Sequence, residues 1–168
     1  MATSDDAYKA IGAAVANCQF LEFTFVLCVK LVFAHNDADK LSDIEPLNRK
    51  TFKAPTKALL DELRTHIDIS PEFDAKLADA VERRHQLVHR WLLDHSWPED
   101  GDRDGLARLT EFATHLSKDV IPLTYILIAA VHNWLKRFPE ASENLPPLGN
   151  NWMSVLPEEY RTLKIEKA

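Results

Sequence analysis

Apolar residues recur at three- and four-residue intervals along most of this chain, a spacing that predicts helices rather than strands. Ile11, Val15, Cys18, Glu22, Phe25, Val29 and Phe33 share one face of a first helix, which starts after "SDD" with Ser4 or Asp5 as its cap and runs to about Ala34. The stretch "HNDAD" ends it, and a polar, loop-like segment follows to about Lys53. "APTKALLDELRTH" then gives a second helix carrying Leu59, Leu60 and Leu63, with Pro55 in its first turn. A third helix runs from Pro71 to about His95, with Ser70 as N-cap, Pro71 at its first position and Glu72 in the positive first turn. Leu106, Leu109, Phe112, Leu116, Val120, Leu123 and Ile126 begin a fourth, which reaches Leu135 and has Pro122 as a point of kinking.

With 168 residues, 46% of them hydrophobic, the chain can build one ordinary core. Only four glycines occur, and no Asn-Gly or Asp-Gly turn lies between alternating apolar runs. The expected fold is all-α: a four-helix up-and-down bundle over residues 1–140 with a polar loop after its first helix. The segment 141–168 follows as a tail whose Trp152, Met153, Leu156, Tyr160 and Leu163 dock on the bundle.

Two charges interrupt this pattern. Glu22 sits in the apolar stripe of the first helix, and Arg84 shares the core face of the third with Phe73, Leu77, Val81, Val88 and Trp91. A carboxylate left there without a partner would cost about 1–3 kcal/mol or more. The simplest arrangement has Glu22 meet Arg84 where the two helices pack. From periodicity alone the pair reads first as a structural bridge.

His85 and His89 lie one turn apart on the border of the same face. They have the spacing to clasp a metal, but no His-Glu-x-x-His pattern or cysteine cluster supplies further ligands, so no metal and no other cofactor is expected. The remaining histidines have no motif around them.

The segment "RHQLVH", Arg84 to His89, resembles the Arg-polar-x-x-x-His signature of the HEPN superfamily of small helical bundles, many of them ribonucleases in toxin-antitoxin, CRISPR and anti-phage systems. "NCQFLEFTF" is similar to the glutamate-bearing first helix of small bacterial HEPN-like proteins, and "RKTF" before the second helix has the same look. Together these cover about two thirds of the chain. His85 stands where asparagine or another small polar residue is commonest in the family, and it still hydrogen-bonds.

The resemblance implies a metal-independent endoribonuclease, in which the RNA's own 2′-hydroxyl attacks phosphorus and leaves a 2′,3′-cyclic phosphate and a 5′-hydroxyl. His89 would move the proton, since imidazole titrates near pH 6.5 when unperturbed. Arg84 would hold the phosphorane oxygens, with His85 and Glu22 in support. In a regular helix a five-residue offset turns Arg84 and His89 about 140° apart, so a homodimer joined through the third helices would bring two of each to one cleft. Arg83 and Arg90 are then RNA-binding candidates, although both also read as solvated helix residues.

A net charge of −6 excludes blanket attraction to RNA or anionic membrane, so an anion site must be local. An antitoxin or other regulatory partner fits the same reading. The rival is a non-catalytic, HEPN-like dimerisation or adaptor module in which the Arg/His motif is structural. Cys18 and Cys28 are expected as reduced, packed thiols about 15 Å apart along one helix. No basic segment precedes an apolar block, and the apolar runs near Phe25 and Ile126 look too short or interrupted to span a bilayer, so the expected address is the cytosol.

Overall fold

A computed structural model describes residues 3–44, 47–48, 50–53, 55–99, 101–143 and 165–167, with backbone alone at 67–68, 92 and 165–167. Helix α1 spans Ser4–Leu27 and runs on in wider π-helical turns over Cys28–Phe33. Short 3-10 turns at Leu41–Asp43 and Thr51–Lys53 lead to α2, Thr56–His66. Helix α3, Pro71–His85, continues through a π-helical turn at Gln86–Arg90 into α4, Trp91–His95. Helix α5, Arg103–Leu135, and the short α6, Pro139–Ser142, follow.

The all-α class holds, with six α-helical segments and two three-residue strands among the described residues. Strand β1, Ile67–Ile69, pairs antiparallel with β2, Ile165–Lys167, so the end of the chain returns to the joint between α2 and α3. The five apolar residues expected to dock the tail lie outside the described residues.

Local signals account for most helix starts. Ser70 caps α3 by accepting the Phe73 N–H, and Asp102 caps α5 by accepting that of Gly105. The cap of α1 is Thr3, not Ser4 or Asp5. Its hydroxyl accepts the Asp6 N–H while the Asp6 carboxylate accepts the Thr3 N–H, a reciprocal box that neither later residue completes. The Thr3 hydroxyl and N–H together hold the Asp6 carboxyl below the usual carboxylate range.

Helix α1 packs most extensively on α5. Asn17 Nδ2 donates to Ser117 Oγ at 2.6 Å, Cys28 Sγ to the Leu127 carbonyl at 3.3 Å, and Arg137 to the Asn36 carbonyl at 2.7 Å. Residue numbers rise together on both sides, so α1 and α5 run parallel. Glu22 bonds Thr56 and Lys30 bonds Glu62, which makes α2 parallel to α1 as well. Arg83 meets Asp119 and Trp91 meets Phe112, which sets α3 antiparallel to α5. The up-and-down alternation expected from the sequence is therefore absent between α1 and α2. The polar segment after α1 is long enough to carry the chain back before α2 begins.

The core gathers Phe25, Leu59, Leu63, Phe73, Leu77, Leu109, Leu116, Leu123 and Leu127, all essentially inaccessible. A second cluster of Val32, Trp134 and Phe138 closes the far end of α1 under Leu41 and Ile44. On α1 the buried line is Ala7, Ala14, Cys18, Leu21 and Phe25, so Ile11, Val15 and Glu22 fall at its border.

Ser4–Phe33 forms 30 helical residues with an 18-residue stretch of mean hydropathy 1.6, long and apolar enough to cross a membrane, contrary to the expectation that this run is too short. Of that stretch, 44% is buried inside the fold, and a central core helix acquires such a composition by being apolar on more than one face.

Both cysteines are free and buried. Burial first, then the charge of Glu22, pushes the Cys18 thiol up to about 11, with Arg84 and Arg83 pulling the other way. Burial pushes Cys28 up as well. Because the thiolate is the nucleophile, neither thiol is expected to react with a disulfide reagent near pH 8 while the protein is folded. Absorbance at that pH should show two thiols per chain only after denaturant is added.

Candidate functional site

The charges that interrupt the apolar faces of α1 and α3 do meet. Arg84 Nε lies 3.2 Å from Glu22 Oε1, and Arg84 Nη2 donates to Glu22 Oε2 at 3.4 Å. Thr56 Oγ1 donates to Glu22 Oε1 at 2.8 Å, so one carboxylate ties α1, α2 and α3 together. The pair is not sealed: the Arg84 and Glu22 side chains keep 32% and 25% of their surface in solvent.

The reason lies in the register of α3. Its core stripe is Phe73, Leu77, Ala80, Leu87 and Trp91, which leaves Val81 and Arg84 at the border. Val88, expected on the core face, is 44% exposed, and Leu87 is buried in its place.

Arg84 forms part of the wall of an open cleft of about 550 Å³ with Val81, Glu82, His85 and Arg90 on the same side. Glu22 belongs to α1 and Thr56 and Lys57 to α2, while Phe52 and Pro55 come from the segment just before α2. Thr56 and Lys57 are missed by sequence reasoning, and Phe52 enters it only as the last residue of "RKTF", the one signal near this wall of the cleft.

The chain itself brings Arg84, His85, Arg90 and Glu22 to this cleft. His89 is exposed one turn beyond His85, with ring centroids 5.1 Å apart and planes tilted by 46°. The backbone between Arg84 and His89 passes through the π-helical turn, where the Trp91 N–H donates to the Gln86 carbonyl five residues back. A π-turn takes up one extra residue, so the rotation separating Arg84 from His89 is smaller than the 140° of a regular helix. Both imidazoles are open to solvent.

No family model, curated protein or solved structure matches this chain. The chemistry of the site therefore has to be read from its own residues.

Arg83 faces elsewhere. Its Nη1 donates to Asp119 at 2.6 Å and to Asp79 at 3.2 Å, and its guanidinium lies 5.5 Å from the Phe112 ring centre. Burial opposes its charge, but the hydrogen bonds and charges of Asp119 and Asp79 outweigh this and raise its pKa above the ordinary range. As an RNA-binding candidate it is thus already occupied by two carboxylates, and it does not line the Arg84 cleft.

Among the described residues no group of three or more His, Cys, Asp or Glu side chains is placed to hold a metal ion. A second cavity, about 450 Å³, opens between α4 and α5, where Trp91 stacks on His95 and meets Phe112. His95 and His115, to which the sequence assigns no role, both line it.

What the Arg84 cleft can do follows from its parts. Arg84 is a permanently charged planar donor, Lys57 and Arg90 are exposed cations, and the His85 imidazole lines the cleft, whereas His89 stands outside its lining residues, one turn on and exposed. That set can hold a phosphate and move a proton.

Proposed function

We propose that the protein is a HEPN-like, metal-independent endoribonuclease working as a homodimer in the cytosol, in toxin or anti-phage defence. The observation that carries this reading is the guanidinium of Arg84, its side chain about a third in solvent, on the wall of an open cleft, with His85 beside it and His89 exposed one turn on. The π-turn between them adds weight, because such turns inside helices occur often at functional sites.

In this reading the 2′-hydroxyl of a nucleotide attacks the adjacent phosphorus. His89 accepts the hydroxyl proton, and the second protomer's equivalent imidazole donates one to the departing 5′-oxygen. Arg84 carries the negative charge that develops on the phosphorane. Glu22 and Thr56 hold Arg84 in place, and His85 orients its neighbour. Two α3 helices packed about a two-fold axis would double the site, and an antitoxin or other regulatory partner would cover it.

The test is the chemistry of the ends. RNA incubated with the protein in EDTA is expected to give fragments whose 5′-hydroxyls label directly with polynucleotide kinase and whose 3′ ends are cyclic phosphates. Fragments with 5′-phosphates, or cleavage that appears only when a divalent metal is restored, would reject the proposal.

The Glu22–Thr56–Arg84 contacts favour a second reading, an adaptor in which the motif only joins helices. It predicts that the protein dimerises, leaves RNA intact, and loses dimerisation in Arg84→Ala.

A further inference from the structure

The Arg84 cleft has an aromatic lip. Phe52 lines it from the Thr51–Lys53 turn and stacks on Phe23 of α1, ring centroids 5.3 Å apart and planes within 11° of parallel. Both rings remain in water, Phe52 at 39% and Phe23 at 47% exposure, and Phe20 one turn earlier is exposed too. A stacked pair used only to fill the core would be covered by the rest of the fold. Phe52 is the member of the pair that lines the cleft, and Phe23 backs it.

The cleft beside it carries Lys57, Arg84 and Arg90 against Glu22 and Glu82. Glu22 is already bonded to Arg84 and Thr56, which leaves Lys57 and Arg90 as the cations nearest to open solvent. A flat apolar ring next to cations is the combination that binds unpaired nucleotides, the base on the ring and the phosphate on the cation. The fold contains a control for this argument. Tyr8 and Trp97 also stack, at 5.6 Å, and are also exposed, yet neither lines the Arg84 cleft or the Trp91 cavity.

We propose that Phe52, backed by Phe23, is a base-stacking subsite, which seats one unpaired nucleobase while the adjoining phosphate rests among Lys57, Arg90 and Arg84. The inference rests on the ribonuclease reading and adds a substrate requirement: a base free to leave its helix. A base inside a duplex cannot reach the ring.

The experiment uses the whole protein and a short fluorescent 2′-O-methyl oligonucleotide, which lacks the attacking hydroxyl and stays intact. The wild type is expected to bind it roughly tenfold more tightly than an abasic strand of the same length or its duplex form. Phe52→Leu should erase that preference, Phe52→Trp should keep it, and Trp97→Leu should change nothing. Equal binding of base-bearing and abasic strands by the wild type, or an unchanged preference in Phe52→Leu, overturns the subsite. So does a fall in binding of both strands together with loss of the dimer in sedimentation, which would make the aromatic lip a contact between copies. Binding that depends on Phe52 without cleavage of ordinary RNA keeps the subsite and rejects the nuclease. Failure to bind any oligonucleotide rejects both.

Discussion

His89→Ala is expected to lower the rate of RNA cleavage by about 10²- to 10⁴-fold, the range over which a positioned proton-transfer group contributes. The ring is exposed and, apart from its neighbour His85, makes no ring contact among the described residues, so its removal should change stability by no more than about 0.5 kcal/mol. For a chain of this size that is a shift of about 1–2 °C at most in the melting midpoint. Arg84→Ala should be at least as damaging to the rate, and Arg84→Lys should not rescue it, because a point ammonium cannot reproduce the planar fork. Removing Arg84 also leaves Glu22 bonded to Thr56 alone. With a quarter of Glu22 in solvent the cost should be about 1–2 kcal/mol, below the 3–5 kcal/mol of a fully buried broken pair. Single-turnover cleavage and thermal melts on the same samples separate the two effects. An Arg84→Ala protein that folds and still cleaves at the wild-type rate would remove Arg84 from the chemistry.

That milder cost marks where the sequence was informative and where it was not. Two lone charges on apolar faces have few ways to be satisfied, so the meeting of Glu22 with Arg84 could be read from periodicity. Its depth could not. Whether a border residue is sealed depends on the neighbouring helix, and α2 reaches this place through a polar segment with no period to read. The same segment delivers Phe52 and Thr56 to the cleft and sets the direction of α2, so the cleft's second wall and the helix order were both hidden for one reason. Ser70 and Pro71 announced α3 because capping is a local interaction. Arg83 looked free because its partner Asp119 lies on α5, far along the chain. The π-turn at Gln86–Arg90 also leaves no mark in the sequence, although it changes how Arg84 and His89 are disposed.

The register of α3 supplies the second large effect. Counting a regular helix from Phe73 puts Val88 on the core face, whereas in the folded chain Val88 is 44% exposed and Leu87 is 8% exposed. Leu87→Ala should therefore leave a cavity beside Trp91 and cost about 2–5 kcal/mol, and Val88→Ala should cost about 0.5 kcal/mol or less. In thermal melts the first is a fall of roughly 5–15 °C and the second a change near the limit of measurement. The contrast bears on function because Leu87 and Val88 lie between Arg84 and His89. If Leu87 anchors this turn, its neighbours His85 and His89 must face outward, towards the cleft edge and solvent. If instead Val88→Ala proved the costly change, the segment would be rotated by about one residue. Arg84 would then take the place that Arg83 holds now, against Asp79 and Asp119 and away from the cleft, and the guanidinium on which the proposed chemistry depends would be lost from it.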